Sequence, residues 1–224
     1  MRIITDFDGP IMDLSDRYYH VYQLCLARVK LKRQPIKILS KAEFWAYKRA
    51  LIADRQIGIA SGLTTAQAEK FQQLRDRHAH RLEYLQLDRV LPSAIAALEQ
   101  IQAAGIELIV MTLRRTSELN VAFGQYDLER FFPPDCRYCL ADDDIKQGDI
   151  PAKTQLMAQA LADLGHQPNT WMIGDTETDI LAAQAHQIPC IGVLSGIRDR
   201  DRLIKYQPDW MVANLAEAVN SILL

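Results

Sequence analysis

The chain has 224 residues, 49% of them apolar and 24% charged, with a formal net charge of -2 at pH 7. That length can bury a core of its own and suits one domain with an insertion or two small domains. The charge balance, with no basic run interleaved with aromatics, argues against a nucleic-acid surface. No apolar stretch reaches bilayer length, and the start Met1-Arg-Ile-Ile-Thr-Asp6 lacks the apolar segment and cleavage site of a signal peptide, so no membrane association and a cytoplasmic location are expected.

The first predicted element is a short buried strand through Ile3 and Ile4. It ends in Asp6-Phe-Asp8-Gly9-Pro10, two carboxylates two residues apart followed by strand breakers. On its own, this stretch reads equally well as a surface turn. In an open α/β sheet, however, ligands bind outside the carboxyl ends of the strands.

After Asp13 the pattern turns helical, with Tyr18, Tyr22, Cys25 and Val29 on one face, Ser15 or Asp16 as the cap, and Pro35 as the stop. Ser40-Lys-Ala-Glu43 is a capping-box pattern ahead of Phe44, Trp45 and Tyr47. Residues 54–62 read as a glycine-containing connection. Thr64 or Thr65 then caps a long helix to about residue 84, with a thin apolar face of Ala68, Phe71, Leu74, His78 and Leu82.

From Arg89 the texture changes. Pro92 and Ser93 open a helix that Gly105 stops. Residues 106–111 form an apolar strand ending in Thr112, and a helix is predicted over 117–126. A strand over 138–141, a helix over 153–164 and a strand over 171–173 follow. The last strand runs into Gly174-Asp175-Thr-Glu-Thr-Asp179 and a helix over 180–185. Strands over 190–193 and 208–212 and a helix over 215–223 complete the chain. Such alternation implies a parallel sheet with helices on both faces, interrupted after its first strand by a helical insertion. The expected division is a core of 1–13 and 89–224 and a helical cap of 14–88.

The strand ends then bring together Asp6, Asp8, Thr112, Asp175 and, one helical turn on, Asp179, with Lys153 at a helix start. Carboxylates packed this closely need a cation, and oxygen-only donors favour Mg²⁺. Lysine and threonine suit the non-bridging oxygens of a phosphate. One ionised Asp can attack phosphorus and the other can move the proton. The plainer reading of Asp175 and Asp179, acids complementing a helix dipole, loses ground once Asp6 and Asp8 are set beside them.

The stretches Asp6-Phe-Asp8-Gly-Pro-Ile-Met-Asp13, Val110-Met-Thr112, Lys153 and Gly174-Asp-Thr-Glu-Thr-Asp179, in that order, resemble the haloacid dehalogenase-like (HAD) hydrolase superfamily. The place of the helical block resembles the C1-type cap of its phosphoglycolate phosphatase-like group. The resemblance implies an α/β, Rossmann-like parallel sheet with the first strand central, between the second and the fourth, plus an inserted α-helical cap. It implies a Mg²⁺-dependent phosphatase that hydrolyses a small phosphorylated metabolite through an aspartyl-phosphate. Asp6 would be nucleophile and metal ligand. Asp8 would be general acid/base, with its backbone carbonyl on the metal. Thr112 and Lys153 would bind the phosphoryl group. Asp175 would be a metal ligand, and Asp179 a ligand or a partner of metal-bound water. Family dehalogenases lack an acid at the position of Asp8, which favours phosphate esters. A phosphomutase uses both acids and stays open. So does a catalytically weak phospho-ligand-binding protein, because Pro10 stands where the family usually has Thr or Val, and proline has neither N–H nor hydroxyl to orient Asp8.

Lys146 competes with Lys153 for the lysine role. On the cap, Arg17, Lys48, Arg49 and Arg55 are candidates to hold a substrate carboxylate or second phosphate, against a solvated helix face. Cys25, Cys136, Cys139 and Cys190 contain one Cys-x-x-Cys and read as small buried thiols. His20, His78, His80, His166 and His186 show no ligand spacing, and Tyr18, Tyr22 and Trp45 read as core. A monomer or homodimer is expected.

Overall fold

The computed structural model describes residues 1–165 and 167–223, so His166 lies outside the described residues. The sheet strands are β1 (Arg2–Thr5), β4 (Glu107–Arg115), β5 (Arg137–Leu140), β6 (Thr170–Gly174), β7 (Cys190–Val193) and β8 (Trp210–Val212), and β2 (Met12–Asp13) and β3 (Arg89–Val90) form a separate two-stranded ribbon. Among the described residues the main sheet has six strands in the order β5-β4-β1-β6-β7-β8. All of its pairings are parallel, and β1 lies between β4 and β6. The order reverses on either side of β1, so the carboxyl end of β1 opens onto the crevice where such sheets bind ligands.

Side chains alternate across a strand, and Ile3 and Ile4 accordingly enter different cores. Ile3 packs with Phe7 and Val110 against α6 (Pro92–Ala103), α7 (Thr116–Tyr126) and α11 (Leu215–Leu223). Ile4 packs with Ile109 and Met172 against α8 (Asp149–Leu164) and α9 (Glu177–Ala185). Helices thus cover both faces, as parallel strands require. A short helix α10 (Arg200–Leu203) follows β7.

The β2–β3 ribbon, with Met12 opposite Val90 and Asp13 opposite Arg89, carries the helical block out of the sheet and back. The block contains α1 (Ser15–Val29), α2 (Lys41–Arg49), α3 (Asp54–Ala60), α4 (Thr65–His78) and α5 (Leu82–Leu85). It has its own apolar cluster, in which Val21, Tyr22, Phe44, Ile57 and Phe71 are all buried. The block also touches the core directly. Arg49 Nη2 donates to the Leu194 carbonyl at 2.9 Å, and Asp199 N–H donates to the Arg49 carbonyl at 3.2 Å.

Four local expectations need correction. The expected connection over 54–62 is largely the helix α3, because its apolar residues Ile57 and Gly58 pack under α4. The expected long helix to residue 84 stops at His78, and a separate turn of helix starts at Leu82. Its cap is Thr64, with Gln67 completing a capping box. Ser15 is inside α1 rather than capping it, and the Asp13 carboxylate accepts from Ser15 N–H at 2.8 Å instead. Finally, α1 ends at Val29, well before Pro35. The Ser40–Glu43 capping box is present in full. Among the described residues, no helix is long and apolar enough to cross a membrane.

Candidate active site

β1 delivers Asp6 to the crevice directly after its last residue, Thr5. Asp6 N–H still donates to the Ile173 carbonyl at 2.8 Å, so the acid is fixed to the sheet edge. Gly9 turns the chain at φ +92° and lies against Asp175, and a Cβ there would come within 2.3 Å of the Asp175 carboxyl carbon. The strand expected to end in Thr112 runs on to Arg115, so Thr112 lies within β4, two residues before Arg114, and the strand period puts both on one face. Asp175 follows β6 directly, and Asp179 sits in the first turn of α9, where its Oδ2 accepts from Thr176 N–H and Oγ at 3.1 and 2.8 Å.

Asp6, Asp175 and Asp179 are all buried and each offers one oxygen, the three atoms lying within 4.8 Å of one another. Lys153 is buried among them, in the second turn of α8, which starts at Asp149 rather than at Lys153 as expected. Its Nζ is 2.8 Å from Asp6 Oδ1 and 2.9 Å from Asp179 Oδ1, and it donates to the Met111 carbonyl at 2.8 Å. It is therefore Lys153, not Lys146, that joins the acids, and Lys146 pairs with Asp149 at 2.6 Å. Thr112 is buried beside them, with Oγ accepting from Arg114 N–H at 3.1 Å.

The electrostatics follow from burial and crowding. Burial pushes Asp6 up to about 7, with Lys153 opposing and Asp179 and Asp8 adding to the rise. Asp175 is also raised well above the ordinary range, by burial and then by Asp6 and Asp179. Burial works against the Lys153 charge, but Asp179 and Asp6 outweigh it and hold the ammonium above its usual range. Three carboxylates with one ammonium are under-compensated. The donor set fits a hard divalent cation: oxygen only, converging, and including Asp179 Oδ1, which is buried, has no hydrogen-bond partner and meets only the Lys153 charge.

Asp8 stands apart from this trio. Burial opposes its ionisation, but Arg114 outweighs burial and lowers it. Arg114 Nε lies 2.9 and 3.1 Å from the two Asp8 oxygens. Arg114 also pairs with Asp88, and Asp88 pairs with Arg17 at 2.8 Å, all three side chains being buried.

Two groups of residues were missed in the sequence. Arg114 could have been found from its same-face spacing to Thr112. The loop after β7 could have been found from its place at a strand's carboxyl end. There, Ile197 N–H donates to Asp175 Oδ2 at 2.6 Å, Ser195 Oγ donates to the Gly9 carbonyl at 2.7 Å, and a Cβ on Gly196 would fall 1.9 Å from Asp175 Oδ2.

Other residues find plainer places. Tyr22 is core, whereas Tyr18 and Trp45 are half-buried and line the cavity over the acids. His78 is buried between the Leu74 carbonyl and Arg28, and His80 lines the cavity 3.8 Å from Glu118. All four cysteines are free, Cys25 and Cys190 being buried and Cys136 and Cys139 half-buried.

Known proteins resemble the chain in sequence and in fold. A family model described as HAD-hydrolase-like matches residues 152–218, the segment with Lys153, Asp175 and Asp179. A phosphoglycolate phosphatase of Yersinia pestis is 24% identical over 223 residues, covering 98% of this chain and 92% of that protein. A pyrophosphatase of Oceanobacillus iheyensis is 21% identical over 131 residues, covering 58% of this chain and 59% of that protein. A solved structure of a haloacid dehalogenase-like hydrolase from Streptococcus pneumoniae superposes with a TM-score of 0.70 at 19% identity, covering 98% of this chain and 97% of that one, and establishes the shared fold.

Proposed function

We propose that the chain is a HAD-like hydrolase of the phosphoglycolate phosphatase-like group, a Mg²⁺-dependent phosphatase acting on a small phosphate monoester through an aspartyl-phosphate on Asp6. The observation that carries this reading is the buried trio Asp6, Asp175 and Asp179, with Lys153 bridging two of its members.

Asp6 Oδ1 is anchored by Phe7 N–H at 2.7 Å and by Lys153, which leaves Oδ2 to attack phosphorus. The P–O ester bond breaks as the new P–O bond to Asp6 forms, and Asp8 protonates the departing alkoxide. Water then attacks the phosphoryl group and gives its proton to Asp8, which releases inorganic phosphate and restores Asp6. Lys153 and Thr112 hold the phosphoryl oxygens in both steps. A Mg²⁺ held by Asp6, Asp175, Asp179 and the Asp8 carbonyl would neutralise charge on those oxygens. Residues 14–88 act as the cap, and the hydrogen bonds of Arg49 to the core close it over the cavity.

A second reading, a phospho-ligand-binding protein with weak turnover, has one observation in its favour. Asp8 is ion-paired through both oxygens to Arg114, which favours its ionised form, whereas a general acid must carry a proton. Phosphate release from simple phosphomonoesters separates the two. The enzyme reading expects Mg²⁺-dependent release that EDTA and Asp6→Asn abolish. The binding reading expects saturable ligand binding with no release.

A further inference from the structure

The cavity that holds the acids has a volume of about 310 Å³, and its lining includes an apolar set: Tyr18, Trp45, Leu51 and Ile52 from the helical block and Leu113 and Ile197 from the core. The rings of Tyr18 and Trp45 meet edge to face at 6.1 Å. The cations around this lining are already paired within the protein. Lys48 Nζ is 3.1 Å from Asp54, and Arg198 is held by both oxygens of Glu177 at 2.8 and 3.0 Å. Lys146 pairs with Asp149, and Arg114 with Asp8 and Asp88. Of the other cap candidates, Arg17 is buried against Asp88, Arg49 is used on the Leu194 and Arg198 carbonyls, and Arg55 faces Glu69 at the surface. A second anionic group on a substrate would have to take a cation from its carboxylate, leaving that carboxylate uncompensated.

Leu51 gives an independent sign. Ile52 N–H donates to the Tyr47 carbonyl at 2.9 Å and Leu51 N–H to the Lys48 carbonyl at 3.0 Å, the bond pattern of a helix end that places Leu51 where glycine is usual. Leu51 sits there at φ +57°, a left-handed conformation that is strained for leucine; it is 46% exposed and is among the residues that line the cavity. A residue held at that conformational cost, with an apolar side chain facing a site, points to use of the side chain.

We propose, on the basis of the phosphatase reading, that the ester accepted here has an uncharged, apolar leaving group of about aromatic-ring size, and that esters carrying a carboxylate or a second phosphate are poor ligands. The test compares benzyl phosphate with phosphoglycolate, both esters of primary alcohols, by calorimetric binding to the Mg²⁺-loaded chain and by kcat/KM. The expected result is at least tenfold tighter binding and lower KM for benzyl phosphate. Trp45→Ala should remove most of that margin. Leu51→Gly should raise the benzyl phosphate KM several-fold without lowering Tm, which a structural role for the leucine would not give. Equal or tighter binding of phosphoglycolate, lost in Lys48→Met, overturns the proposal. Release of phosphate from either ester upholds the phosphatase reading in both cases, so the two ideas fail separately.

Discussion

Arg114 grips both carboxylate oxygens of Asp8, with Nε at 2.9 and 3.1 Å and Nη2 at 2.7 Å from Oδ1. Pro10 can supply neither N–H nor hydroxyl to orient Asp8, and the guanidinium does so from β4. Arg114 is braced in turn by Asp88, which Arg17 holds from α1, so one buried chain of charges runs from the helical block to Asp8. Arg114→Met is therefore expected to lower kcat by about 100-fold, the scale of general acid-base catalysis, with KM little changed. It should also destabilise the fold by roughly 3–5 kcal/mol, because Asp8 and Asp88 lose their shared cation. Steady-state kinetics and urea unfolding measure the two effects, and an unchanged kcat would show that Arg114 does not position Asp8.

The crowding of acids makes a second expectation. Asp175 is raised well above its ordinary value, so in the metal-free protein its ionised form opposes folding. That penalty is complete above the folded-state value and disappears as the pH falls towards the ordinary value of 3.8. In EDTA at pH 8, Asp175→Asn should melt a few degrees above the wild-type chain, with the gain closing towards pH 4. Mg²⁺ should reverse the order, since a ligand at 100 times its Kd adds about 2.7 kcal/mol to the state that binds it. Calorimetric melting with and without Mg²⁺ reads both signs, and a lower Tm for the variant in EDTA would refute the crowding argument.

A third expectation concerns α2. Glu43 accepts from Ser40 N–H in the capping box and pairs with Lys37, and these contacts lower its value from 4.5 to about 2. A depressed carboxylate stabilises the fold fully above 4.5, and its contribution fades as the pH drops towards 2. Glutamine keeps the box but not the charge. The Tm difference between wild type and Glu43→Gln should be largest near pH 6 and shrink steadily between pH 4.5 and the acid limit of the folded state. A difference independent of pH would assign the effect to packing.

The sheet was legible from its short apolar runs alternating with helical patterns, and the two acids after β1 gained their meaning only beside those further along the chain. Asp6, Asp175 and Asp179 could be named because strand ends and a helix start fix them locally, whereas Thr112 and Lys153 were named although β4 runs on to Arg115 and α8 starts at Asp149, and the fold brings all five together. Arg114 could be set on the face of Thr112 by its spacing, but its role was not legible, since it lies in contacts with Asp8 and Asp88, far away in the chain. Gly196 was missed for a similar reason: only the approach of Asp175 explains why a Cβ is excluded there. The helix α3 was read as a connection because its glycine suggested a turn, whereas Gly58 lets Phe71 of α4 come close. The cations of the helical block looked available in the sequence. Their carboxylate partners, Asp54 for Lys48 and Asp88 for Arg17, lie on other elements.

The central claim is that Asp6 carries the phosphoryl group, and acid-quenched turnover tests it directly. Wild-type chain quenched during hydrolysis of a phosphomonoester with Mg²⁺ is expected to hold hydroxylamine-labile phosphate on the peptide containing Asp6, and none should form in Asp6→Asn. Sustained phosphate release by purified Asp6→Asn, with no labile phosphate in either protein, would contradict it.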